Sequence, residues 1–159
     1  MTLFRAGTGT LTGTAMAERM ISRFPEGLSI SSSSARRICS KADGAFLLEL
    51  CKYLKEELSF EHVSLVSGVD MVDRIQAVYH LTSYTNSLCL IEIVVDLDRE
   101  KPEIDSITPL WGGANYHERE TYDMLGIVFK GHPDLRRIFL PEDTRFFPLR
   151  KDFELRGGP

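Results

Sequence analysis

Long apolar runs are missing from this chain. The longest, Leu88–Val95, is interrupted by Glu92, whereas a membrane-spanning helix needs about 20 apolar residues. No such helix is expected. A secretory leader is not expected either, because Arg5 is followed by glycines and threonines rather than an apolar stretch. The protein is therefore expected to stay in the compartment where it is made. Cysteine is also scarce. Cys39, Cys51 and Cys89 are odd in number, and no two form a C-x-x-C pair. That argues against a disulfide framework, and against an iron–sulfur cluster or structural zinc, which need about four clustered ligands. Cys51 and Cys89 lie in apolar surroundings and read as small buried hydrophobes. The four histidines, His62, His80, His117 and His132, are scattered. Finally, positive charge is not in excess: 19 Lys and Arg stand against 23 Asp and Glu. Nucleic-acid binders usually carry a basic face, so this balance argues against one.

What remains describes an ordinary globular chain. Its 159 residues are 43% hydrophobic and 26% charged, enough for one domain with a real core. The charge is uneven. Residues 41–98 carry a net −6, residues 1–40 a net +3 and residues 130–159 a net +2. An acidic body with a basic tail favours docking onto an acidic partner.

The pattern along the chain predicts an α+β fold, a small two-layer domain with a mainly antiparallel sheet and two or three helices. Residues 1–14, rich in Gly and Thr, are expected to be a flexible N-terminus. Residues 15–129 form the α+β domain, including a charged helix near its end. Residues 130–159 form an extended, Pro-rich segment. Met16–Phe24 has helical spacing and stops at Pro25 and Gly27. Leu28–Ile30 reads as a short strand and Ser31–Ser34 as a turn or loop. Asp43 is placed to cap a helix running to Leu58, with Phe46, Leu47, Leu50, Cys51, Leu54 and Leu58 on one stripe. His62–Val66, Arg74–Tyr84 and Leu88–Val95 read as strands, the last two joined in a hairpin through Thr85-Asn86. Pro102 and Pro109 bracket an extended link. Trp111–Leu125 looks helical, with Gly126 placed to end it. Beyond Lys130, prolines 133, 141, 148 and 159 exclude long helix and central strand. Yet Leu135, Ile138, Phe139, Leu140, Phe146, Phe147, Leu149 and Phe153 are too apolar for a disordered tail. The tail must be ordered by its own sheet or by another protein.

Two stretches carry candidate chemistry. His117-Glu-Arg-Glu-Thr121 approaches the zincin H-E-x-x-H, but Thr121 stands where zinc needs its second histidine. Helical spacing places Arg119 over Asp123 and Glu118 beside Tyr122. A carboxylate on an aromatic stripe needs a donor if buried, and Arg136 and Arg137 are the candidates. Glu118, Arg119, Glu120, Tyr122 and Asp123 are accordingly expected to join Arg136 and Arg137 in one polar network shaping the tail. The second stretch, Gly131-His-Pro-Asp-Leu-Arg-Arg137, has no adjacent Ser or Cys to act as a nucleophile. His132 is held in a turn, where a structural hydrogen-bonding role competes with a catalytic one, and Asp134 can cap that turn. Gly7–Gly13 lacks both the preceding strand and the Gly-Lys-Ser/Thr of a phosphate loop.

The whole stretch His117-Glu-Arg-Glu-Thr-Tyr-Asp-Met-Leu-Gly-Ile-Val-Phe-Lys-Gly-His-Pro-Asp-Leu-Arg-Arg-Ile-Phe-Leu-Pro-Glu-Asp143 closely resembles the signature of the 30-kDa subunit family of respiratory complex I (NADH:quinone oxidoreductase). Phe147–Phe153 fits the same family, and so, more loosely, do Phe60–Val69 and Val78–Ser83. The resemblance covers about residues 59–154 and is weak before that. It implies a small α+β domain with a meandering C-terminal segment, no catalytic residues and no cofactor or metal bound by this chain. Iron–sulfur clusters and a flavin are expected on other subunits. It implies a cofactor-free structural role in the hydrophilic arm, packed against the large quinone-site subunit and its iron–sulfur neighbours. The chain would sit peripheral to the membrane, on the cytoplasmic or organelle-interior side, touching it only through the complex. Gly126, Gly131, His132, Pro133, Asp134, Pro141 and Asp143 join the charged residues above as signature positions for docking. Related subunits occur in F420H2 dehydrogenases and ferredoxin-fed complexes, and the chain's end soon after Asp152 suits these as well, so the electron donor and the quinone or phenazine acceptor stay open. The competing expectation is a free-standing metal-dependent enzyme using His117, Glu118 and His132. A nucleic-acid module using the basic tail is a third.

Overall fold

A computed structural model describes residues 10–154. Strict alternation builds its centre. In β4 (Ile75–Ser83) and β5 (Cys89–Leu97) every second residue is buried, because successive side chains of a strand point to opposite faces. Ile75, Ala77, Tyr79 and Leu81 face inward beside Ile91, Ile93 and Val95, and the two strands pair antiparallel from Ile75–Leu97 to Ser83–Cys89. The expected hairpin is therefore present. β3 (His62–Asp70) pairs antiparallel on the far side of β4, with a bulge between Val63 and Leu65.

The other half of the sheet differs from expectation. Ser31–Ser33 do not form a turn but extend β1 to Leu28–Ser33, and Ser31 Oγ donates to the Cys39 carbonyl at 3.0 Å. A further strand, β2 (Arg37–Ala42), pairs antiparallel with β1 and parallel with β5. The five strands run in the order β1-β2-β5-β4-β3. Only the inward Ile38, Ser40 and Ala42 of β2 are buried, and Ser40 is held there by donating to the Glu92 carbonyl at 2.8 Å.

Two helices cover the inner face. α1 spans Gly13–Arg23, buries Met16, Ala17 and Met20, and is capped by Thr12, whose hydroxyl accepts from the Ala15 amide at 3.3 Å. It begins before the boundary expected for a flexible N-terminus at residue 14. Gly13 is buried under it, and a Cβ there would sit 2.3 Å from the Ser34 carbonyl oxygen. The remainder of that expected segment, residues 1–9, lies outside the described residues. Asp43 does start the second helical stretch, accepting from the Ala45 amide at 3.0 Å at the head of one 3-10 turn. α2 (Leu47–Glu56) follows and buries Leu47, Leu50, Cys51 and Leu54. Each such Leu contributes about 1.5–3 kcal/mol by leaving water.

The link after β5 is more than a link. Glu103–Asp105 forms β6, which pairs in parallel with β7 (Val128–Lys130), and α3 (Ala114–Leu125) connects them. Gly126 ends α3 in the left-handed region at φ +80°, its amide donating to the Tyr122 carbonyl at 2.8 Å. This small parallel pair lays the loop after β6 against the segment leaving β7, the Ser106 amide donating to the Lys130 carbonyl at 2.8 Å. From 131 to 154 the chain has neither helix nor strand. Among the described residues no helix is long and apolar enough to cross a membrane.

Candidate functional site: two buried carboxylates on one helix

α3 sends Glu118 and Asp123 inward, and both are completely buried. They do not share one network. Glu118 accepts from Ser106 Oγ at 2.5 Å, the Ile107 amide at 2.8 Å and Thr108 Oγ1 at 3.0 Å, all from the loop that β6 delivers. No guanidinium reaches it, which corrects the expectation that Arg136 and Arg137 are its donors. The nearest basic group is His132, with Nε2 4.0 Å from Glu118 Oε2 and 3.3 Å from the Asn115 carbonyl. His132 Nδ1 accepts the Asp134 amide at 3.0 Å, so the ring proton belongs on Nε2. The histidine caps the turn, and Asp134 instead pairs with Arg136 at 2.9 Å. Burial pushes the Glu118 carboxyl above its ordinary range, and its hydrogen bonds and His132 offset this only in part.

Asp123 meets charge. Its Oδ1 accepts from Arg137 Nη1 at 2.7 Å, and its Oδ2 accepts from three successive amides, Ile138 at 2.9 Å, Phe139 at 2.7 Å and Leu140 at 3.1 Å. Burial alone would raise this carboxyl, yet the amides and the guanidinium hold it below the usual range. Arg137 also donates to the carbonyls of Asp123 and Thr144, at 3.0 and 2.7 Å, and lies over the rings of Tyr122 and Phe147. The expected Arg119–Asp123 pair does not form. Arg119 reaches across to the carbonyls of Arg136 and Arg137, at 3.2 and 3.4 Å.

A third carboxylate completes the grip on the tail. Asp70, at the end of β3, accepts from Arg99, from the Val72 amide at 2.7 Å and from the Lys151 amide at 2.9 Å. Hydrogen bonding to Arg99 leads the effects that lower its pKa to about 2, against the opposing effect of burial. Between the two grips the Leu149 amide donates to the Met124 carbonyl at 3.1 Å and Arg150 Nε to the Leu125 carbonyl at 2.8 Å. The tail thus lies on its own body, while Phe139, Phe146 and Leu149 remain exposed. Asp70, Arg99, Ser106 and Thr108 escape sequence reasoning. An Asp directly before a hairpin loop is the one local signal among them.

The remaining signature residues stand apart from these centres. Glu120, Gly131, Pro133, Pro141 and Asp143 are exposed. Gly131 adopts φ +81° and the Pro141 carbonyl accepts the Thr144 amide at 3.1 Å. The His117 carbonyl accepts from Thr121 Oγ1 at 2.7 Å. Among the described residues no three His, Cys, Asp or Glu side chains converge in a metal-holding group. Burial pushes the Cys51 thiol and the Tyr79 phenol upward, which disfavours the thiolate and the phenolate. A carboxylate such as that of Asp123, saturated by amides and a guanidinium, anchors backbone and has little basicity left for proton transfer.

A sheet with helices on one face, and a charged helix that holds the segment after it, define the class of protein: an α+β domain with an irregular C-terminal segment folded back on its own body. The model of the family "Respiratory-chain NADH dehydrogenase, 30 Kd subunit" matches residues 41–159, and the chain belongs to this family. It is 42% identical over 141 residues to the C subunit of the F420H2 dehydrogenase of Methanosarcina mazei, covering 86% of this chain and 89% of that one. It is 46% identical over 116 residues to the C subunit of the NADH-quinone oxidoreductase of Roseiflexus sp., covering 69% of this chain and 65% of the relative. Among solved structures it is similar to a trypsin-resistant fragment of Nqo5, with TM-score 0.66, 26% identity and coverage of 77% of this chain and 98% of the fragment. It also shares its fold with a chain of the archaeal membrane-bound sulfane sulfur reductase, at TM-score 0.78 and 19% identity, over 91% of this chain and 86% of that one.

Proposed function

We propose that the chain is a structural subunit of a complex I-type membrane oxidoreductase, passing electrons from NADH, F420H2 or ferredoxin to a quinone or phenazine. In this reading it carries no redox centre and lies peripheral to the membrane, on the cytoplasmic side or its organelle equivalent. Its tail docks on the large quinone-site subunit. The observation that carries the reading is the pair of grips, Asp123 on residues 137–140 and Asp70 on residue 151, which hold an irregular segment in shape while Phe139, Phe146 and Leu149 face outward. Apolar side chains held rigid before docking cost less ordering entropy on binding. The family and the two relatives from oxidoreductase complexes support the assembly.

The test is a tagged pull-down from gently solubilised native membranes. Iron–sulfur and membrane subunits should co-purify, and the input subunit among them names the electron donor. Asp123→Asn should lower the amount of assembled complex. If that variant assembles fully but loses turnover, the site is catalytic and the structural reading falls. Recovery of the chain alone with stoichiometric zinc or iron would instead favour an enzyme using His117, Glu118 and His132.

A further inference from the structure

The end of α1 and the outer side of α2 form a groove of two adjoining hollows of about 310 and 200 Å³, which share Arg23, Phe24 and Glu49 as lining residues. Its floor is aromatic. Phe24 and Tyr53 meet edge to face, with centroids 5.6 Å apart and planes at 73°. Phe46 forms the wall of the smaller hollow and packs over Gly27, where φ is +82° and a Cβ would come within 2.3 Å of the ring. The groove lies partly outside the family match, since that match begins at residue 41 and α1 precedes it.

One end of the groove already sets a cation on an aromatic ring. Arg23 lies over the Phe24 ring, 5.2 Å from its centroid, and donates to Glu49 at 3.0 Å. An aromatic face beside a carboxylate is a seat for a guanidinium or ammonium group. Farther along, Glu56 and Glu57 line the larger hollow beside Tyr53 and enter no ion pair among the described residues, and Lys52 is the one cation there besides Arg23. An aromatic ring beside carboxylates thus recurs here, with Glu49, Glu56 and Glu57 outnumbering Arg23 and Lys52, and among the described residues no cation pairs with Glu56 or Glu57.

We propose that this groove receives an arginine- or lysine-bearing polypeptide segment of a neighbouring protein, whose cations pair with Glu56 and Glu57 and stack on Tyr53 as Arg23 does on Phe24. Charge complementarity selects the partner, and the aromatic floor takes its aliphatic stems. The test is a nuclear magnetic resonance titration of the labelled full chain with a blocked peptide alternating arginine and leucine, and with its glutamate-for-arginine counterpart. The arginine peptide should shift the resonances of Phe24, Phe46 and Tyr53 saturably, and the glutamate peptide should not. Glu56→Gln with Glu57→Gln should weaken binding by about tenfold, as should added salt, since exposed charge pairs are screened. Lys52→Glu should tighten it, a gain that no folding defect produces. Equal shifts with both peptides, no shift with either, undiminished binding to the double glutamine variant, or concentration-dependent self-association through these residues would overturn the proposal.

Discussion

Glu118 and Asp123 are five residues apart on one helix and equally excluded from solvent, yet they are opposite electrostatic cases. Glu118 is surrounded by hydroxyls, one amide and an imidazole, so burial dominates and favours its protonated form. Asp123 lies nearer the surface of the domain and faces a guanidinium and three amides, and these outweigh its burial. Exclusion from solvent alone does not set the fate of a carboxylate; how deep it lies and the charge and number of its donors together do. The consequence for architecture is that Glu118 closes a loop inside the domain, whereas Asp123 holds the tail to the domain.

The largest effect that would break this contrast is expected from Asp123→Ala. It leaves Arg137 buried without its counter-ion and three amides without an acceptor, and should cost about 3–5 kcal/mol in urea unfolding. Asp70→Asn comes next, at about 1–3 kcal/mol, because the Arg99 contact loses its charge while part of the acceptor remains. Its signature is local: hydrogen exchange should quicken around Lys151 before the core is touched. Glu118→Gln sharpens the comparison from the other side. Ser106 and Thr108 hydroxyls can turn from donors to acceptors, and no cation is orphaned, so the cost should stay below about 1 kcal/mol. A cost as large as that of Asp123→Ala would erase the distinction.

The pH dependence separates the two smallest effects by sign. A carboxyl lowered in the folded state, as in Asp123 and Asp70, adds stability above its unfolded pKa, and this is lost as pH falls toward the folded value. For Asp70 that acid limb runs from about 4 to about 2. A carboxyl raised in the folded state, as in Glu118, adds stability at low pH that is lost as pH rises through the folded value. Urea midpoints across pH should therefore show Asp70→Asn flattening the acid limb. Glu118→Gln should gain on the parent as pH rises above about 4.3. A Glu118→Gln curve parallel to that of the parent would contradict the raised carboxyl.

Much of the fold was legible where pattern and burial coincide. The alternation of β4 and β5, the apolar stripe of α2, the cap at Asp43 and the stop at Gly126 all stand in the sequence as local signals. β2 was not legible. Its outward Arg37 and Lys41 and inward Ser40 blur the hydrophobic contrast, and its parallel partner β5 is about fifty residues away. The charged residues of α3 were recognisable as a site, but their partners were not. Spacing on the helix allows Arg119 to reach Asp123, yet the four hydrogen bonds that this carboxylate accepts all come from the tail. Ser106 and Thr108 meet Glu118 only because β6 and β7 pair in parallel around α3, a long-range event with no local mark.

The grip on residues 138–140 is made through main-chain amides, so Asp123 is indifferent to the side chains it positions. Every residue type offers that amide except proline, and the chain places Pro141 one step beyond the last of the three. Substitution at Ile138, Phe139 or Leu140 can therefore follow the demands of whatever lies outside, with the anchor unchanged. The tail's shape and its surface chemistry are free to evolve separately.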